Sequence, residues 1–317
     1  MLRAGDFSRV DLLIKVARMY YDEQLTQQDI AERLGLSRPG VSRLLNEARR
    51  RNVVRISIVS PYEDESRLSG TMMSRFKLDD VVVVPAATTD PAAVKESIGA
   101  VGADLLDRVL PNGQVLAVSG GTTVLALADH LNPSKMREVS VVPIIGGMGQ
   151  VGGGWHSNDI ARKVGNAFSG RYYLLNAPAV VASSEVRDLF MREPSIQRTL
   201  DLGKKAQVAI VGIGALSPDS TMVQPGFFSA SELMSLSDLG VVGNIGVDFF
   251  DASGRIVTTP LDARLIGVSL LELGKDTRII AVAGGASKVE AIRGALQGGL
   301  VQMLVTDVQT AKLICGE

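Results

Sequence analysis

The chain has 317 residues, of which 46% are hydrophobic and 21% charged, with a formal net charge of −1. That excludes a disordered tail and leaves room for two domains with separate cores. A single cysteine, Cys315, excludes a disulfide framework and a cysteine-rich zinc cluster. The opening MLRAGDFSRVDLL has no apolar core of a signal peptide, and no run of about 18 uncharged apolar residues follows. A soluble cytoplasmic protein with no membrane partner is expected.

The near-zero charge hides an asymmetry. Residues 1–60 carry 11 basic against 7 acidic side chains, a net +4, and the remaining 22 basic and 27 acidic side chains give −5. From Arg33 to Arg55, seven arginines face Glu47 alone. A basic stripe on a neutral chain is the footprint of a nucleic-acid module, the alternative being a solvated helix face.

Leu13, Val16, Ala17 and Tyr20 recur at helical spacing, which predicts a first helix over Val10–Asp22. Thr26-Gln27-Gln28-Asp29 has the form of a capping box and opens a short second helix with Ile30, Ala31 and Leu34 inward. Gly35 makes a turn. Ser37 then caps a third helix that has Pro39 in its first turn and buries Val41, Leu44, Leu45 and Ala48. A short helix, a glycine turn and a polar-faced helix make a helix-turn-helix pattern. The candidate DNA-contacting residues are Thr26, Gln27, Ser37, Arg38, Pro39, Gly40, Ser42, Arg43, Asn46 and Arg49. Arginine can read a guanine edge and asparagine an adenine edge, each through two hydrogen bonds, while Ser and helix N-termini suit phosphates. Arg49, Arg50 and Arg51 suit phosphate neutralisation. Val53–Val59 alternates and reads as a strand, in the position of a wing.

The expected domains are 1–60, a DNA-binding helix-turn-helix, 61–77, a linker helix, and 78–317, an effector domain. In the linker, Leu68, Met72 and Phe76 form a stripe suited to packing, either here or on another copy of the chain. Beyond it strands and helices alternate: Val81–Pro85, a helix over Pro91–Leu110, Val115–Ser119, a helix through Leu131, Val139–Ile145, a helix near Asn158–Phe168, Tyr172–Asn176, Val208–Ile213, Ile279–Val282 and Met303–Val305. This alternation predicts an α/β fold with a doubly wound, Rossmann-like parallel sheet.

Several strands end in glycine, and the carboxyl ends of such strands form the ligand crevice. Ser119-Gly120-Gly121-Thr122-Thr123 offers backbone N–H groups, two hydroxyls and a helix start to an anion. Gly284-Gly285-Ala286-Ser287-Lys288 adds a cation, with Ser287 expected to cap and Glu290 to complete its box. Ordinary capped turns are the alternative for both. Gly147–Gly152 matches G-x-G-x-x-G, but no helix starts in register and no acid stands about 20 residues on, so no dinucleotide cofactor is expected. The loop Gly146–Ser157 suits a lid. His130 ends a helix, His156 could touch ligand, and Asp248 and Asp251 either flank the crevice or begin a turn. No metal site and no catalytic residue can be nominated.

These residues carry a family resemblance. LLIKVARMYYDEQLTQQDIAERLGLSRPGVSRLLNEARRRNVVRISIVSP resembles the helix-turn-helix of the SorC family of bacterial sugar-responsive regulators. SGGTT, the GG loop, VAIVGIG, PGFFS, GNIGVDFFD and VAGGASKVEAIRGAL resemble its effector domain, in order and over essentially the whole chain. The resemblance implies a sensor domain similar to sugar-phosphate isomerases and a phosphorylated sugar effector. It further implies phosphate contacts from Gly120, Gly121, Thr122, Thr123 and Lys288 beside Gly284 and Gly285. Contacts to sugar hydroxyls would come from Asn244, Gly146, Gly147 and Asn158. Asn244 stands where the family often has an acid. No lysine stands at the mouth of the strand ending Pro143–Gly147, so binding without a Schiff base is expected. The whole reads as a homodimeric or homotetrameric repressor of a carbohydrate-use operon, bound to double-stranded operator DNA. The alternative is an isomerase-like enzyme with an accessory DNA-binding domain.

Overall fold

The computed structural model describes residues 4–51, 53–54, 63–85, 90–147, 154–216 and 228–317. The chain divides into two compact units, Met1–Pro61 and Tyr62–Glu317. In the first, α1 (Ala4–Tyr21) starts earlier than its apolar spacing suggested and takes in Gly5. It packs with α2 (Gln27–Leu34) and α3 (Arg38–Arg50) around Leu13, Val16, Ile30, Val41 and Ala48, all fully buried. Gly35 ends α2 in the left-handed conformation, at φ 65°. Val53 and Val54 pack on this core; the rest of the expected wing strand lies outside the described residues.

The second unit begins with α4 (Glu63–Phe76). Leu68 and Met72 are fully buried in the core of this unit, so the expected linker helix is part of the second domain and its stripe is satisfied within its own chain. A single parallel sheet follows, built from β1 (Asp80–Val84), β2 (Val115–Val118), β3 (Ser140–Pro143), β4 (Arg171–Tyr172), β5 (Val208–Val211), β9 (Arg278–Val282) and β10 (Met303–Asp307) in the spatial order β1-β10-β9-β5-β2-β3-β4. Every pairing is parallel, as near-continuous runs such as VVVV and VAIV require of strands covered on both faces. One face is covered by α5 (Pro91–Val109), α6 (Thr122–His130) and α7 (Ser157–Phe168). The other is covered by α4, α9 (Pro194–Lys204), α11 (Val289–Gln297) and α12 (Val308–Cys315), with α8 (Ser184–Arg192) beside α9.

Strand–helix alternation does not announce the second sheet. β6 (Gly214–Ala215), β7 (Val241–Ile245) and β8 (Asp248–Asp251) form an antiparallel ladder, with α10 (Ala230–Asp238) between β6 and β7 in the chain. Phe249 and Phe250, between the two acids expected at the crevice or a turn, are strand residues with fully buried rings.

Candidate functional site

In the first unit, two helix starts carry the predicted DNA-contacting face. Thr26 caps α2: its Oγ1 accepts from the Asp29 amide at 3.2 Å while Asp29 returns to the Thr26 amide at 3.0 Å. Ser37 caps α3 by accepting from the Gly40 amide at 3.2 Å. Gln27 and Arg38 therefore stand at helix N-termini, and with Thr26 they line an open cavity of about 570 Å³ together with Tyr20, Gln24, Leu25 and Gln28. Two positive helix ends around one hollow suit a backbone phosphate. Pro39 and Gly40 complete the first turn of α3, with Ser42, Arg43 and Asn46 on its outer face.

The arginine stripe divides in two. Arg51 reaches Glu47 at 3.0 Å, Glu47 also accepts from Arg9 at 2.6 Å, and Arg33 stands 3.7 Å from Glu23. The Arg9 hydrogen bond holds the Glu47 carboxyl below its ordinary range. Arg49 donates to the Tyr21 hydroxyl at 3.0 and 2.8 Å, a partner that spacing within α3 could not reveal. So Arg51, expected on phosphate, is internally paired, and Arg49 is aimed by Tyr21. Arg38, Arg43 and Arg50 are exposed and form no ion pair among the described residues.

In the second unit the strand ends gather as expected. β9, β5 and β2 are neighbours, so the Gly284–Lys288 and Ser119–Thr123 turns flank the exit of β5 at the carboxyl edge. Two strand spacings put them about 10 Å apart. Ser119 is buried, and its Oγ accepts from the Gly212 amide at 3.2 Å. α6 begins at Gly121, whose φ of 131° and ψ of 152° are essentially glycine-only, with no side-chain cap. The Gly120 and Gly121 peptides lie under the Trp155 carbonyl, which accepts from the Gly121 amide at 2.9 Å. The N–H groups of Thr122 and Thr123 open the helix.

The expected cap at Ser287 is corrected. Ala286–Lys288 forms a 3₁₀ turn that starts at Gly285, φ 101° and ψ 143°, again with no side-chain cap, and α11 starts beyond it, also without one. The interposed turn moves Ser287 out of capping position. The Gly285 amide is taken by Asp307 Oδ2 at 3.0 Å and Thr310 Oγ1 at 2.8 Å. Lys288 forms no ion pair among the described residues. Its ammonium is largely shielded, though part of the residue is accessible; burial first and the charge of Lys95 second lower its pKa to about 8.

Other predicted ligand groups are already engaged. The Gly146 amide donates to Ile266 at 3.0 Å and the Gly147 amide to Ala177 at 2.8 Å, so neither is a free anion donor. Both ends of the Asn158 amide bind the Leu175 backbone, at 2.9 and 3.1 Å. Asn244 is buried on β7 against Gly214 and donates to the Gly246 carbonyl at 3.2 Å. Asp248 accepts from Ser269 Oγ and the Leu270 amide, both at 2.6 Å; burial raises its pKa. Asp251 folds a turn with Ser253 and Arg255, which hold its carboxyl well below the usual range. Both acids are engaged in local hydrogen bonds, Asp248 at the turn that starts at Leu270 and Asp251 in the turn after β8. His130 ends α6 and lies 2.9 Å from the Ala126 carbonyl. His156 precedes α7 and stacks on Trp155. The G-x-G-x-x-G segment beyond Gly147 and half of the expected lid fall outside the described residues.

Residues 60–315 match the Sugar-bind family, a sugar-binding domain, and residues 17–60 match the MarR family. The chain belongs to the SorC family of sugar-binding transcriptional regulators. It is 32% identical to the deoxyribonucleoside regulator of Bacillus subtilis over 98% of this chain and 99% of that one. It is 37% identical to the transcriptional regulator LsrR of an Enterobacter, over 96% and 92%. The full-length sorbitol operon regulator SorC of Klebsiella pneumoniae superposes with a TM-score of 0.76 at 29% identity, covering 96% and 98%. This SorC-family member is a DNA-binding transcriptional regulator with a carboxyl-terminal sugar-binding domain. Among its described residues no helix is long and apolar enough to cross a membrane.

Proposed function

We propose that the effector is a phosphorylated sugar, held without covalent attachment at the carboxyl edge of the large sheet, and that its binding releases the protein, a homodimeric or homotetrameric cytoplasmic repressor, from operator DNA. The observation that carries this reading is the pairing of an uncapped helix start at Thr122–Thr123 with the largely shielded cation of Lys288, which forms no ion pair among the described residues. An anion satisfies both at once: it accepts from the first-turn amides and compensates the ammonium. Thr122 and Thr123 donate to the phosphate and Lys288 neutralises it, while Gly120 and Gly121, the latter with its own amide held by Trp155, let the ligand approach the backbone closely. Asn244 and the neighbourhood of Gly146, Gly147 and Asn158 shape the sugar end. Turnover would need an acid and a base, and Asp248 and Asp251 are engaged with Ser269, Leu270, Ser253 and Arg255, which favours binding over catalysis.

A chain of contacts supports coupling. The Gly285 amide is held by Asp307 and Thr310 at the start of α12. Beyond its end, Glu317 clasps Arg67 of α4 at 2.5 and 2.7 Å, and Arg75 of α4 donates to the carbonyls of Ile314 and Cys315. In sequence, α4 is the first element after the DNA-binding unit. A gel-shift titration against duplexes from the protein's own operon region, with a panel of sugar phosphates, tests the reading. One or more should change DNA affinity; unchanged affinity across the panel refutes it. Linkage adds a second check, since an effector that weakens DNA binding must itself bind the DNA complex more weakly by the same factor.

A further inference from the structure

A phosphomonoester carries nearly two negative charges at neutral pH, because its second pKa is about 6. Lys288 supplies one positive charge, and the start of α6 about half of another. The fold places one more cation at the same edge. α5 and α6 follow parallel strands on one face of the sheet and therefore run in the same direction. They meet at Gly99, where an added Cβ would lie 2.6 Å from the Ala126 backbone and 2.7 Å from that of Leu127. One turn nearer the crevice, the residues at the same level are Lys95 on α5 and Thr122 and Thr123 on α6, since positions four apart share a helix face. On the other side, Ile98, three residues after Lys95, packs so tightly on Gly284 that an added Cβ there would lie 2.5 Å from its Cδ1. Lys95 thus rises between the two glycine turns. It is half-buried and has no ion pair among the described residues, and it is the neighbouring charge that Lys288 feels.

We propose that Lys95 is the second cation of this anion site and that it makes the site select a phosphomonoester dianion over a singly charged ligand. The inference rests on the effector reading above and sharpens it from anion to dianion. Two like charges side by side on a half-buried edge are unfavourable alone; a dianion between them turns the repulsion into two attractions, whereas a monoanion compensates only one.

The test uses full-length protein and two probes of the same shape, methyl phosphate and methyl sulfate, at about pH 7.5, where the first is a dianion and the second a monoanion. Affinities are read by titration calorimetry or ligand NMR. Wild type should prefer methyl phosphate. Lys95→Gln should weaken methyl phosphate about tenfold and methyl sulfate less than about threefold, so that the preference collapses, and Lys95→Arg should restore it. Lys288→Gln should weaken both. If Lys95→Gln binds both probes as wild type does while Lys288→Gln loses them, the role of Lys95 is overturned and the anion site stands. If Lys95→Gln weakens both equally and Lys95→Arg rescues neither, Lys95 is a packing residue and the proposal fails. If wild type binds neither probe, the effector reading itself falls, and this inference with it.

Discussion

Two helix starts in the first unit and two at the glycine turns of the second begin in different ways. In the first unit, Thr26 and Ser37 supply side-chain oxygens to the opening amides of α2 and α3. At the carboxyl edge of the large sheet, α6 opens at Gly121 and the turn before α11 at Gly285, with closely similar backbones and no side-chain cap at either. Unrelated stretches of sequence have converged on one conformation there. A cap provided by the chain makes a finished element, whereas a cap left to be provided by something else makes a binding site. The capped starts of α2 and α3 suit a fixed surface, and the uncapped starts at Gly121 and Gly285 suit completion by a ligand.

The largest expected effect breaks this contrast directly. A sugar phosphate at about 100 times its dissociation constant should stabilise the protein by about 2.7 kcal/mol. Hydrogen exchange should show added protection in residues 119–131 and 284–297 and none in α1 to α3. Protection confined to the first unit would reverse the assignment. Next comes Gly121→Ala. Among the described residues no atom beyond the chain neighbours lies within 4 Å of an added Cβ, so the cost is conformational, about 1–3 kcal/mol at such a φ. Urea unfolding should show the second unit weakened, with effector affinity reduced and DNA affinity retained.

The third prediction concerns pH. The pKa of Lys288 is about 8 in the unliganded protein, below its ordinary value. Its charged form is disfavoured in the fold, so the penalty is present below about 8 and fades as the pH climbs toward the usual lysine range. Lys95 on α5 is the cation facing it, while Asp307 on the adjoining β10 is committed to Gly285 and Thr310. A bound dianion raises the pKa of Lys288 and so requires its proton. Effector affinity should be flat from about pH 7 to 8 and fall by up to tenfold per unit above 8, as a group losing one proton demands. Calorimetry in buffers of different ionisation enthalpy should show proton uptake on binding above pH 8. An affinity flat to pH 9.5, roughly a unit below free lysine, removes Lys288 from the site. A smaller effect sharpens the other half of the contrast: Ser37→Ala should cost about 1 kcal/mol, weaken DNA binding and leave effector affinity unchanged.

Local signals made the first unit readable. The capping box at Thr26–Asp29, the glycine turn at Gly35 and the spacing of Val41, Leu44, Leu45 and Ala48 all act within a few residues, and each stands where the residues put it. The parallel sheet was legible because its strands are continuous apolar runs between helices. The ladder of β6, β7 and β8 was not, since its pairing joins Gly214 to Asn244 across a long intervening stretch and its glycines read as loops. In the candidate site, residue type identified the two glycine turns. It could not tell which amides were spent internally, as at Gly121, Gly146, Gly147, Gly285 and Asn158, because those partners come from distant strands and loops. Lys95 was invisible for the same reason. Its relevance comes from the close approach of two helices, which a string of residues does not display.

The smallest expected effect on stability tests the link between the units. Arg67 and Glu317 form a bidentate pair on the surface, and such exposed pairs contribute little to stability. Arg67→Ala should therefore leave the unfolding midpoint nearly unchanged, and DNA affinity without effector should stay close to wild type. What should change is the response. The pair joins α4, which follows the DNA-binding unit in sequence, to the chain end beyond α12, whose start holds the Gly285 turn. With the clasp removed, effector occupancy still orders the turn but pulls less on α4, so the effector-induced change in operator affinity should shrink while effector affinity holds. Measuring both affinities in wild type, Arg67→Ala, Glu317→Gln and the double variant separates the possibilities. If the two single changes reduce coupling and the double adds nothing, the pair acts as one connection. If coupling is intact in all four, the signal travels elsewhere and the contrast between a finished unit and a ligand-completed one needs another bridge.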